Sequence, residues 1–425
     1  MNRRWAKKRN CFVIFLAVLF FSAAQAHSSG YAVYTHGAAA LGQGNAVTAH
    51  GSDPSVVFFN PALLNGLEGT QVLLGTTLIF PSREFESDLS GRRLETDSTV
   101  FTPSTLYISH KLNEQFSAGL GVFNPFGLGT KWDEDWEGRY ITTESTLKTF
   151  NINPALSYRV APRLTLAAGL DILLLDATLE KRLKSSSLGI PLSFDIGQKF
   201  DGDGTGLGYN LGLALRINDD FTFGASYRSK VEVDIEGEAT FTFPAGLPDG
   251  IPSGKQPPVD GKSDITLPQQ FHAGICYEGL EDLTLETGLR WEGWSDFERL
   301  KIALETGQTD TTDRDWKDVF AYNIGARYRL SPGASVLAGY LYGNTPVPDK
   351  TFDPTIPDSD AHVFSIGSEL TLRRFKVAAS YAYQLFEDRK KKNAVPLSSA
   401  EPIDKADGSY ESDLHMLGAS VTYLF

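Results

Sequence analysis

The chain has 425 residues, 41% of them hydrophobic and 12% aromatic, and a formal net charge of −13. That much apolar and aromatic content excludes a disordered chain. Two cysteines exclude a disulfide framework or a multi-cysteine metal site, and the acidic balance excludes a general nucleic-acid binder, which needs basic stripes to displace counterions. Beyond the first thirty residues no apolar run reaches the length of about eighteen that a membrane-spanning helix needs. Mean hydropathy lies just below zero, as in soluble proteins, but a membrane β-barrel has the same composition because only alternate residues meet lipid.

Residues 1–26 read as a secretory signal. Arg3, Arg4, Lys7, Lys8 and Arg9 precede an apolar run from Cys11 to about Phe21, and Ala24-Gln25-Ala26 forms a small-residue cleavage site. Its removal leaves 34 basic against 52 acidic residues, a mature charge of −18, and Cys276 as the remaining thiol, expected as a small apolar filler. Residues 27–68 do not alternate. They are rich in Gly, Ala and Ser, carry turn signals at Asp53-Pro54 and Asn60-Pro61, and end in Phe58-Phe59-Asn60-Pro61-Ala62-Leu63-Leu64. This composition predicts an ordered plug for a barrel too wide to be filled by its own side chains.

From residue 69 to the terminal Phe425 the pattern is period-2 alternation. Leu164, Leu166, Ala168, Leu170, Ile172 and Leu174 share one face, with Thr165, Ala167, Gly169 and Asp171 on the other. The same reading along the chain predicts strands at about 70–81, 99–112, 115–128, 145–160, 163–182, 206–218, 220–243, 263–278, 282–303, 315–330, 333–343, 361–373, 374–388 and 411–425. Their connections alternate between long and short, as in an outer-membrane barrel with short periplasmic turns and long external loops. The expected fold is all-β: a 14-stranded antiparallel transmembrane β-barrel over 69–425, plugged by an N-terminal hatch over 27–68.

Several motifs in this order resemble the FadL/TodX (OmpP1) family of outer-membrane transporters for long-chain fatty acids and hydrophobic compounds. They are Gly42-Gln43-Gly44 through Asp53 to Asn60-Pro61-Ala62, then Asn124-Pro125-Phe126-Gly127-Leu128 with Trp132, Trp136 and Gly138-Arg139-Tyr140. Leu267-Pro268, Trp291-Glu292-Gly293-Trp294-Ser295, Pro346-Val347-Pro348-Asp349 and the terminal Phe425 complete the set. The resemblance implies a Gram-negative outer-membrane location, insertion by the barrel assembly machinery, contact with outer-membrane lipids and lipopolysaccharide, and a monomer. It implies long-chain fatty acids or other hydrophobic ligands as partners, with no cofactor and no nucleic acid.

Pro125 donates no ladder hydrogen bond, so Asn124-Pro125-Phe126-Gly127 is expected to break the third strand. In the family that strand is kinked and opens the wall laterally. A fatty acid needs an apolar channel and a cation for its carboxylate. Matching to the family places Lys181 and Lys317 as candidate ligands, although both also read as solvated rim residues. Trp132, Trp136 and Tyr140 read either as an external groove for first capture or as interfacial aromatics. Phe58 and Phe59 either line the inner pocket or anchor the hatch. Gly202-Asp203-Gly204-Thr205-Gly206 reads as a glycine-rich stretch between strands, with Asp195, Asp201 and Asp203 in a solvated loop. Neither H-E-x-x-H nor G-x-S-x-G occurs, so an enzyme is not expected. The alternatives are an aromatic hydrocarbon channel with a cation-free pocket, an outer-membrane lipid hydrolase, which would need a Ser–His pair at lumen or rim, and a structural barrel, which would need neither hatch nor kink.

Overall fold

A computed structural model describes residues 30–396 and 401–425; the expected signal sequence lies outside the described residues. Among these residues fourteen strands form the wall. They are β1 (Thr70–Ser87), β2 (Ser104–Lys111), β3 in two pieces (Phe116–Phe123 and Gly127–Lys131), β4 (Glu144–Ala161), β5 (Leu164–Lys184) and β6 (Asp195–Arg216). β7 (Phe221–Arg228 and Val231–Phe243), β8 (Val259–Leu267 and Gln270–Tyr277) and β9 (Leu283–Glu292 and Arg299–Leu304) are also each in two pieces. β10 (Val319–Ser331), β11 (Ala334–Gly343), β12 (Ala361–Leu372), β13 (Phe375–Phe386) and β14 (Gly408–Leu424) follow. Every strand pairs antiparallel with its neighbour, and β14 pairs with β1 from Gln71–Leu424 to Ser87–Gly408, closing the barrel. Closure leaves no strand of the wall without a neighbour on both sides, the condition for a sheet to cross lipid.

The alternation predicted for β5 is present: Leu166, Leu170 and Leu174 are exposed outward while Ala167, Asp171, Leu173 and Leu175 are buried inward. The outward apolar faces stop partway along the longer strands. On β5 Leu174 is followed by Asp176, Thr178 and Glu180; on β6 Leu207 adjoins Thr205, Asp203 and Asp201. Strands of 18 to 22 residues are about twice as long as a bilayer requires, so their long-loop ends stand clear of it. β6 therefore starts at Asp195, eleven residues before the predicted start, and Gly202–Gly206 is strand and not connection. The signal was hidden because Gly202, Gly204 and Gly206 face the crowded side of the sheet. A Cβ at Gly204 would sit 2.4 Å from the Asp234 carbonyl oxygen, and one at Gly206 2.4 Å from Val231. Glycine removes the alternation that periodicity detects.

Residues from Gly30 to Leu67 fold inside the barrel. They form α1 (Ala38–Gly42), α2 (Val56–Phe59) and a 3₁₀ turn (Pro61–Gly66). Helices of five and four residues are too short to persist alone, so the wall must hold them. It does so by backbone approach. A Cβ on Gly224 would lie 2.0 Å from the Thr48 oxygen, one on Gly339 2.1 Å from the Gln43 carbonyl carbon, and one on Gly325 2.4 Å from the Gln43 oxygen. Gly224 pairs with Gly274, and Gly325 with Gly339, so these absent side chains form parts of one belt around the lumen.

Polar side chains complete the docking. Asn60 donates through Nδ2 to the carbonyls of Thr48 (2.8 Å) and Leu213 (2.9 Å) and accepts from Ala62 N at 3.1 Å. The buried Glu286 carboxylate of β9 accepts backbone N–H groups of Thr48, Ala49 and His50 at 2.6 to 3.1 Å. Across the lumen, Glu369 pairs with Arg327 and accepts from Ser52 Oγ at 3.0 Å. Gly339→Val is expected to leave a folded, heat-modifiable barrel while displacing the hatch. Single-channel conductance in planar bilayers should rise severalfold, and unchanged conductance would show that the belt is dispensable.

Candidate functional site

A cavity of about 830 Å³ lies on the long-loop side of the hatch, within the range of small-molecule sites. Leu41, Leu341, Val363 and Met416 make an apolar floor, and hatch residues Tyr31 to Thr35 form one side. The guanidinium groups of Arg83 and Arg290 border it. The cavity also reaches Val100, Phe101, Lys148 and Phe150, which lie on the outer side of the wall. It therefore passes through the wall.

The passage is a window between β2 and β3. Their ladder ends at the Leu106–Val122 pair. Above it the segment 97–103 replaces strand β2: Phe101 makes an isolated bridge to Ile79, and Asp97 N donates to the Lys131 carbonyl at 2.9 Å, closing the top. The far side is the break in β3. Between the pairs Phe123–Asn151 and Gly127–Lys148, β3 has three residues against two on β4, an irregularity centred on Pro125. Backbone groups freed there bond the hatch. Val33 N donates to the Pro125 carbonyl and Gly127 N to the Tyr31 carbonyl, both at 2.9 Å, with an Ala32–Phe126 bridge between them. Thr149 secures the opposite side, donating through Oγ1 to the Phe126 carbonyl at 2.6 Å, while Asn124 Nδ2 donates to the Thr149 carbonyl at 2.6 Å. The Phe101 ring rests over Gly129, where a Cβ would be 2.1 Å from Cζ.

The candidate ligands chosen from the sequence occupy other places. Phe58 and Phe59 are buried in the hatch–wall core. Phe58 lies against Phe123 (5.2 Å) and stacks on His36 (3.5 Å), so in this structure both rings anchor the hatch and neither borders the cavity. Trp132 and Trp136 stack at 4.4 Å among Phe85 and Tyr410, and Trp132 Nε1 donates to the Pro354 carbonyl at 3.2 Å. They form a closed loop core and no open groove. Tyr140 donates to Asp195 at 2.7 Å beside the Arg139–Asp195 ion pair, so Asp195 is engaged away from Asp201 and Asp203. Lys181 is ion-paired with Asp310. Lys317 is exposed at the loop end, and neither lysine lines the cavity. The sequence reading missed Arg83 because it follows Pro81 in a stretch that looked like the end of a strand. Its inward parity with Leu73 and Thr77 was the available signal.

Arg83 donates through Nη1 to the Gly129 carbonyl at 2.6 Å, and among the described residues no carboxylate lies within ion-pairing distance of it. Arg290 stacks over the Tyr34 ring at 3.3 Å, next to Glu292. His50, Cys276 and Glu286 approach one another within 4.8 Å, a donor set that suits a soft divalent metal, but the Glu286 oxygens are already committed to hatch N–H groups.

A closed antiparallel barrel with a folded internal plug and a chamber that pierces the wall defines an outer-membrane transport barrel. A family model described as outer membrane protein transport protein (OMPP1/FadL/TodX) matches residues 19–425, and the chain belongs to this family. It is 24% identical over 392 residues to a long-chain fatty acid transport protein of Escherichia coli O6:H1, covering 84% of this chain and 88% of that one. In fold it resembles a Pseudomonas aeruginosa FadL homologue (TM-score 0.81, 19% identity, 93% and 99% of the chains). It also resembles the Pseudomonas putida toluene transporter TodX (0.71, 18%, 91% and 97%). The protein is accordingly an outer-membrane transport protein.

His36 shows how tightly the hatch is closed. It is 1% exposed, and its Nε2 donates to the Val33 carbonyl at 2.7 Å. Burial lowers its pKa to about 3 against the pull of that hydrogen bond, with Arg228 and Arg290 adding to the drop. Released from the core it would titrate near 6.5. The released form thus binds more protons between those values, and docking weakens as pH falls from about 6.5 towards 3. At pH 4.5 the loss is on the order of 2 kcal/mol. Protection factors for amide exchange at residues 31–45, corrected for the intrinsic pH dependence of exchange, should fall about thirtyfold between pH 7 and 4.5, and His36→Phe should remove most of that fall.

Proposed function

We propose that this protein carries long-chain fatty acids passively across the outer membrane and delivers them sideways, through the β2–β3 window, into the bilayer. The observation that carries this reading is the continuous chamber from the hatch to the lipid-facing side of the wall. External loops roofed by Trp132 and Trp136 admit the solute. The apolar floor takes the chain, and Arg83 takes the carboxylate through its remaining donors. Movement of Tyr31 to Val33 then frees the β3 break and widens the window, because the same backbone groups bond both. No step requires nucleotide, cofactor or covalent chemistry, so the reading is a channel and not an enzyme. We infer a monomer, since one chain closes the barrel, with lipopolysaccharide as its outer-leaflet surroundings.

Arg83 favours a carboxylate over a plain hydrocarbon. The second reading, an aromatic hydrocarbon channel, is favoured by the apolar floor and would leave Arg83 idle. Arg83→Gln should weaken fatty-acid binding at least tenfold, since a hydrogen bond to a charged group contributes about 1.5–3 kcal/mol. Toluene binding should hold. Equal losses for both ligands, measured by fluorescence displacement, would reject the carboxylate role.

The lateral route has its own test. Pro125→Ala combined with Gly127→Val should regularise β3 and press a side chain against Val33, whose Cγ2 is 3.2 Å from the new Cβ position. Oleate uptake by cells carrying normal surface levels of this variant should fall at least fivefold. Undiminished uptake would rule the window out as the exit.

A further inference from the structure

Arg83 can hold a carboxylate inside the chamber, but a fatty acid leaving sideways must take its charge past the apolar edge of the wall. An anionic headgroup without a partner there faces a desolvation barrier. The structure places a cation at that point. β4 points Lys148, Phe150, Ile152 and Leu156 outward in succession. Phe150, Ile152 and Leu156 are exposed, as a lipid-facing row should be, and Lys148 stands directly above them at the upper limit of the apolar band. Lys148 also pairs in register with Gly127, the first residue after the β3 break, so it stands at the window's outer jamb. Both Lys148 and Phe150 border the same cavity as Arg83.

Its charge is more available than its neighbour's. Lys131, on the upper edge of the window, has Asp97 and Glu144 each at 3.8 Å. Lys148 has no carboxylate within 4.0 Å among the described residues, although Asp176 stands across from it in the β4–β5 register. A flexible ammonium on a four-carbon stem above an apolar row suits a headgroup at the water–lipid boundary.

We propose that Lys148 is a headgroup station at the membrane mouth of the window. A long-chain carboxylate emerging from the chamber exchanges Arg83 for Lys148 while its acyl chain passes Phe101 and lies along Phe150 and Ile152 towards the bilayer core. Single-chain anionic amphiphiles are the ligand class, and the station sets the orientation in which they enter the outer leaflet. The inference rests on the lateral route argued above and adds a site that the route alone does not require.

The test uses the full-length protein in nanodiscs of zwitterionic lipid, with a diazirine-bearing palmitic acid and the matching uncharged alcohol as probes. Crosslinks are mapped by mass spectrometry. Wild type and Lys148→Arg should label peptides covering 97–103 and 146–152 with the acid. Lys148→Gln should lower that labelling at least fivefold and Lys148→Glu further, while the alcohol labels all four proteins equally. Equal acid labelling in wild type and Lys148→Gln would overturn the station while leaving the lateral route standing. Labelling confined to peptides covering 31–45 and 341–363, with none at 97–103 or 146–152 in any protein with either probe, would overturn the route itself. Loss of the Lys148-dependent labelling when anionic lipid is added would show that a bilayer phosphate holds Lys148, which also overturns the proposal.

Discussion

The rest of the structure depends on one constraint: a folded polypeptide sits inside a barrel with no bulk water to hydrate its backbone. Every hatch amide and carbonyl pressed against the wall needs a partner or a gap. The wall supplies both. Gly224, Gly325 and Gly339 remove side chains so that residues 43–48 can touch the strand backbone. Asn60 and Glu286 then satisfy the groups that such contact buries. A larger side chain at these positions or an unpaired carboxylate would expel the plug, because neither short helix has stability of its own.

The same bookkeeping of backbone groups explains why the wall is open at one place. Pro125 cannot donate to the ladder, and the extra residue in β3 leaves carbonyl and amide groups facing inward. Tyr31, Ala32 and Val33 take them. The break is therefore satisfied by the hatch, and the first hatch residues are held by the break together with the Gly30 N–Asp358 hydrogen bond and the packing of Tyr31 on Trp294 and Trp316. Two features that are distant in sequence become a single mechanical element. Phe101 over Gly129 and Thr149 across from Phe126 fix the edges of the opening without closing it.

Most of the wall was legible because lipid on one side and protein or water on the other impose a period of two. Leu166, Leu170 and Leu174 could be read directly, and so could the Pro125 break, since proline's missing donor is a property of the residue itself. The first half of β6 was not legible. Its inward positions Gly202, Gly204 and Gly206 carry no side chain, and the cause is crowding by Val231 and Asp234 on the next strand. Trp132 and Trp136 were visible as aromatics, but nothing local distinguishes an open groove from a closed stack. Their burial depends on Phe85 and Tyr410, which face each other only across the β1–β14 seam of the closed barrel.

The sequence by itself determined the class: an exported all-β chain, strands of lipid-facing period, a small-residue segment ahead of them and a proline break in the third. These follow from side-chain chemistry acting over a few residues. Only the tertiary structure decided which cations meet the chamber. Lys181 and Lys317 have the right charge, but Asp310 holds the first and the loop surface carries the second, whereas Arg83 and Lys148 share one cavity from opposite sides of the wall. The reason is geometric. Strand parity fixes the face of a side chain, but its neighbours are set by the register of fourteen strands closing on one another and on the hatch.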